Sequence, residues 1–140
     1  MSSSVLLERE DEIAALDAAV RSAAAGEARV LLLEGPAGIG KTRLLAEARR
    51  RAAAAGVRPL AARCGALEQA FPFGVVRQLF EPALVERAAR ERALAGAAVA
   101  AREVFDIVTE PDREARDPSF AALHGLYWLT LNLAADGPLA

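Results

Sequence analysis

Gly35-Pro36-Ala37-Gly38-Ile39-Gly40-Lys41-Thr42 brings three glycines, an ammonium group and a hydroxyl into eight consecutive residues. Glycine removes the side chains that would hold another group away from the main chain. Successive N–H groups, those of Gly38, Ile39 and Gly40 among them, can therefore converge on one anion. The pattern is that of a phosphate-binding loop, G-x-x-x-x-G-K-[ST]. In that chemistry Gly35 and Gly40 permit the tight turn and the close approach, and Gly38 adds freedom between them. Lys41 supplies a mobile point charge for the β- and γ-phosphates, and the Thr42 hydroxyl coordinates magnesium. A nucleoside triphosphate with Mg2+ is the expected ligand.

Chance does not account for the match. The chain has 10 glycines and a single lysine among its 140 residues, and on the order of 3 matches per 10,000 sequences of this composition are expected, before any flanking element is demanded. Lys41 is the only lysine among 17 basic residues; the others are arginine. Arginine is used everywhere except where a compact ammonium on a flexible stem is needed.

The loop requires a strand before it and a helix after it. Val30-Leu31-Leu32-Leu33 is a short apolar run suited to a strand buried on both faces. A helix is expected from Lys41 to Ala55, with Leu44 and Leu45 inward and Gly56 at its end. Upstream, Ile13, Leu16 and Val20 have helical spacing within about 9–25, and Gly26 suits the stop, which defines a lead-in helix over 1–25 ahead of a P-loop domain over 26–140. Val57 to Ala62 is a weaker strand candidate, with Pro59 best placed at an edge. Helical patterns follow over Val75 to Ala95 with a break near Pro82, over Ala97 to Thr109, and over Ser119 to Ala135 after the Asp117-Pro118 start signal. The last is apolar nearly all round, so Leu123, Leu126, Tyr127, Trp128 and Leu131 require partners; left exposed, it would offer a surface for self-association.

Hydrolysis needs more than a phosphate cradle. An acidic residue at the end of a second buried strand must hold the magnesium shell, and another group must orient water. Asp106 follows Val104-Phe105 in a stretch that reads as helix, and Asp136 belongs to the Asp136-Gly137-Pro138 turn. No catalytic residue is therefore assigned, and little or no turnover is expected from this chain alone.

The remaining composition narrows the field. A net charge of -2 with interspersed signs gives no footprint for nucleic acid or an acidic membrane surface. No leader or spanning segment stands out, and a cytoplasmic, soluble protein is expected. With Cys64 its only cysteine and His124 its only histidine, the chain forms no internal disulfide and no Cys/His zinc site. Arg49-Arg50-Arg51, with Glu47 four residues before Arg51, reads as a solvated helix face, and His124 as a packed core histidine. Phe71, Phe73 and Phe80 read as core closure.

Four segments together resemble the N-terminal part of the large LuxR-type transcriptional regulators of actinobacteria, which carry an AAA-like ATPase domain of the STAND class. These are Leu6-Leu7-Glu8-Arg9-Glu10, the glycine-rich loop, Phe71 to Pro82, and Leu123 to Leu129 leading to Asp136-Gly137-Pro138-Leu139. The resemblance spans essentially the whole chain. It implies an α/β P-loop NTPase with a parallel sheet flanked by helices, incomplete at its C-terminal side, since relatives continue with the strand bearing the Walker B acidic pair and end in a DNA-binding helix-turn-helix. It implies ATP as the nucleotide, and it gives Leu7 and Arg9 a place near the adenine. Glu8 stands where many relatives carry glycine. In such domains other strands separate the two present here, so these would not pair with each other, and marginal stability follows. Three readings result: a nucleotide-switch module or fragment of an ATP-dependent regulator, a P-loop small-molecule kinase, and a non-functional remnant. DNA binding would be a property of a longer parent only.

Overall fold

The computed structural model describes residues 8–65, 71, 73–106 and 120–140. They form two compact units, one of Met1–Pro59 with Gly137–Ala140 and one of Leu60–Asp136.

The first unit rests on two helices. Helix α1 (Glu10–Ala24) begins with Glu10, Asp11 and Glu12, carboxylates that favour the positive end of a helix dipole, and it buries Leu16. Helix α2 (Lys41–Ala54) buries Leu44 and Ala52. The two are clasped by charge. Arg51 of α2 donates two hydrogen bonds from Nη1 to the Asp17 carboxylate of α1, at 2.5 and 2.6 Å, and its Nε reaches Glu47 Oε1 at 2.7 Å. Arg50 forks onto the same Glu47 at 2.6 and 2.8 Å. The basic run near the end of α2 is thus a joint between helices as well as a wetted face.

Among the described residues the expected parallel sheet is not formed. Val30–Leu33 has no regular structure and lies open, with Val30 99% and Leu32 75% exposed. Among the described residues the β pairing is one isolated parallel bridge between Arg58 and Leu139. It is made by Arg58 N–H to the Pro138 carbonyl at 2.8 Å and Ala140 N–H to the Arg58 carbonyl at 3.0 Å. The α/β assignment is therefore corrected to a helical architecture. An apolar run expresses a demand for burial, whereas a strand exists only when a neighbour completes its ladder, and no described segment lies beside Val30–Leu33 to do so.

The second unit is built from short helices around one long one. Helix α3 (Gly74–Phe80) passes into a 3-10 turn (Glu81–Ala83), and helix α4 (Arg87–Ala93) restarts beyond it. The interruption falls at Pro82, which lacks the N–H a continuous helix would use. A second 3-10 segment (Gly96–Ala101) leads into helix α5 (Arg102–Phe105). The expected helix end at Thr109 and the Asp117-Pro118 start signal lie outside the described residues. Helix α6 (Phe120–Ala135) turns Ala122, Gly125, Leu129 and Leu133 inward. A Cβ at Gly125 would collide with the backbone of Ala100 and Ala101, so the small residue is what lets α6 seat against the 96–101 segment. Asn132 Nδ2 donates to the Ala93 carbonyl at 2.9 Å, an acceptor left over at the end of α4, and to the Ala95 carbonyl at 3.2 Å, which also takes the Ala98 N–H. Phe80 packs edge-on to Phe105 with centroids 6.5 Å apart.

Only one face of α6 is covered within this unit. Leu123, Tyr127 and Leu131 remain 51%, 59% and 40% exposed. Of the expected aromatic closure, Phe80 is buried, Phe71 is exposed, and the Arg77 guanidinium lies 5.8 Å from the Phe71 ring centroid. No described helix is long and apolar enough to cross a membrane.

Candidate functional site

The glycine-rich loop turns at the entry to α2. Gly38 and Gly40 hold φ of 82° and 98°, left-handed values that a residue with a Cβ adopts only at a cost. Gly40 is the residue before the helix, and no side chain caps that end. The N–H groups of Arg43 and Leu44 close the first turn on the Gly40 carbonyl at 3.0 and 3.1 Å. Those of Lys41 and Thr42 precede the first intrahelical bond and remain available, at the positive end of a 14-residue helix. Ile39 N–H leans on the Pro36 carbonyl at 3.4 Å, which tightens the crown of the loop.

Lys41 is folded back over this loop. Its Nζ donates to the Gly35 carbonyl at 2.6 Å and the Pro36 carbonyl at 2.9 Å. The ammonium is thus held by two exchangeable main-chain acceptors beside the N–H groups it would serve. Thr42, at the second position of α2, is exposed. Its hydroxyl suits a hard divalent cation that keeps most of its coordination for water and phosphate oxygens. Among the described residues no group of three or more His, Cys, Asp or Glu side chains is arranged to hold a metal ion.

The lead-in reaches the same loop. Arg9 Nη2 donates to the Ile39 carbonyl at 2.8 Å, across 30 positions of sequence, and Nη1 to Glu12 Oε1 at 2.6 Å. That hydrogen bond from Arg9 holds the Glu12 carboxyl below its ordinary range. Leu7 lies outside the described residues. Glu8 has a left-handed φ of 57°. Glu12 is a member of this cluster that the sequence reading passed over, although its spacing of three from Arg9 on a helix was the available signal.

The other candidates belong to the second unit. Asp106 follows the four-residue α5 and pairs with Arg90 at 2.8 Å. Asp136 sits at the end of α6, its N–H on the Leu133 carbonyl at 3.3 Å. His124 is exposed rather than a core residue; its Nε2 accepts from Trp128 Nε1 at 2.9 Å and its ring stacks on Phe120. Cys64 is a free, exposed thiol.

Comparison with curated proteins and with solved structures returns no match in either. The model of the AAA ATPase domain family, a family of nucleotide-using domains, matches residues 5–138, a span that takes in the glycine-rich loop, α1 and α6, and this chain belongs to that family.

Proposed function

We propose that this chain binds ATP with Mg2+ through Gly35–Thr42, as the nucleotide-switch module, or a fragment of one, of a longer ATP-dependent transcriptional regulator of the LuxR type. The observation that carries the reading is the loop at the start of α2: left-handed Gly38 and Gly40, uncommitted N–H groups on Lys41 and Thr42, and the Lys41 ammonium parked on the Gly35 and Pro36 carbonyls. Gly35, Gly38, Ile39 and Gly40 form the cradle. Lys41 exchanges its two carbonyl acceptors for β- and γ-phosphate oxygens, and Thr42 shares the magnesium with those phosphates. The family resemblance assigns Leu7 and Arg9 to the adenine end of the nucleotide. Binding orders the loop and the α1 contact that Arg9 makes, and a longer protein reads that order as a signal. DNA contact belongs to other parts of such a protein, self-association would use the exposed face of α6, and the compartment is the cytoplasm.

Titration of ATP with and without Mg2+ against the wild-type chain and Lys41→Ala tests this. Saturable binding weakened about 10- to 100-fold in the variant is expected, the value of a charge-assisted contact. A folded wild-type sample that binds no ATP would refute it. Steady turnover is expected to stay far below the ordinary enzymatic range of about 1 per second or more, because Asp106 is tied to Arg90 and follows a helix rather than a strand.

A further inference from the structure

We propose that Arg9 is a positioning residue for the phosphate site: its guanidinium holds the Ile39–Gly40 peptide so that the Gly40 N–H is turned toward a bound phosphate. The inference rests on the phosphate-binding reading above and goes beyond it, since it makes Arg9 act through the loop rather than on the base.

The geometry follows from one planar unit. The chain has no cis peptide bonds, so the Ile39 carbonyl and the Gly40 N–H point in opposite directions from their shared plane. Arg9 Nη2 lies 2.8 Å from that carbonyl, on one side of the loop. The Gly40 N–H is thereby directed away from Arg9. The flanking groups are held by the loop itself, Ile39 N–H on the Pro36 carbonyl and the Gly40 carbonyl by Arg43 and Leu44, whereas the Ile39 carbonyl is held by Arg9. A Cβ at Gly40 would meet nothing within 4 Å, and Ile39 is 44% exposed. Glycine at position 40 gives the chain the freedom to flip, and the arginine removes it. Arg9 is itself anchored: Glu12 Oε1 takes Nη1 at 2.6 Å, and the Arg9 side chain is only 26% exposed. α1 therefore sets the direction of a donor in a loop 30 residues away.

Two ligands separate this role from contact with a base. Inorganic tripolyphosphate has the phosphates of ATP and no adenine. Arg9→Met keeps the aliphatic stem and the backbone carbonyl that accepts Ile13 N–H at 2.9 Å, so α1 is retained, which circular dichroism verifies. The variant is expected to weaken Mg·ATP and Mg·tripolyphosphate by the same factor, about 3- to 10-fold for one exposed charge-assisted bond, with Arg9→Lys recovering part of the loss. In the ligand-free chain the Gly40 amide resonance is expected to move or broaden in Arg9→Met and its hydrogen exchange to quicken. Loss confined to ATP, or a Gly40 amide identical in wild type and variant, overturns the positioning role while leaving phosphate binding in place. A wild-type chain that takes up neither ligand overturns both.

Discussion

Glu8 carries a left-handed φ of 57° two residues before α1, a conformation that costs an L-residue with a Cβ about 1–2 kcal/mol. Glycine has no such cost but is freer in the unfolded chain, which returns part of the gain. Glu8→Gly is accordingly expected to stabilise the chain by up to about 1 kcal/mol. The urea midpoint should rise with an unchanged slope; a lower midpoint would mean that the Glu8 side chain supplies more than the strain removes. The glycine-rich loop stood out at this scale because its eight residues are contiguous and each fixed position of its pattern invites a chemical reading. The grip of Arg9 on the Ile39 carbonyl was not. A main-chain acceptor leaves no mark in residue identity, so a pattern search has nothing to match.

Helices were the elements that sequence specified well, and strands were not. Gly26, Gly56 and Pro82 are local punctuation: the chain leaves α1 and α2 at the first two and breaks at the third. Each signal acts within one turn of itself. Val30–Leu33 and the 57–62 segment needed partners that spacing cannot supply, and the bridge formed among the described residues, Arg58 with Leu139, joins residues far apart in sequence. The α1–α2 joint was equally hidden, because the Asp17–Arg51 pair is a tertiary contact across 34 positions. Its chemistry yields a pH dependence. The hydrogen bond from Arg50, reinforced by Arg51, pulls the Glu47 carboxyl from 4.5 down to about 2. A carboxyl lowered by folding contributes its stabilisation in full above the unfolded value and loses it as pH falls through the folded one. The stabilisation that Glu47 gives the arginines of α2 is therefore complete above about 4.5 and is lost toward about 2, and Glu12 acts in the same direction. Thermal melts across that window should show Tm falling with acid, with a shallower fall in Glu47→Gln. Parallel curves for the two proteins would remove Glu47 from the account.

At the scale of the molecule, the two units differ in how much apolar surface holds them. The first relies on Leu16, Leu44, Ala52 and Val57, whereas the second buries Phe80, Leu84, Leu94, Phe105, Leu129 and Leu133 along with several alanines. At about 25 cal/mol per Å² of buried apolar area, a core of fewer and smaller side chains opens more readily. Amides on the inward face of α6, Ala122 to Leu133, should accordingly exchange with solvent more slowly than those of α1 and α2. The glycine-rich loop belongs to the first unit, the one expected to open more readily, so a ligand bound there would have room to act. A ligand that binds only the closed form raises the cost of opening by mass action, and at a free concentration about 100 times its dissociation constant it slows exchange through that opening about 100-fold. Mg·ATP should therefore slow exchange along α2 in the wild-type chain and leave Lys41→Ala, at the same concentration, far closer to its ligand-free rate. Hydrogen exchange read by mass spectrometry on peptides from the 41–54 stretch makes the comparison. Saturating Mg·ATP with no change along α2 would mean that the nucleotide sits elsewhere, or that the helix it caps is not the element whose stability it controls.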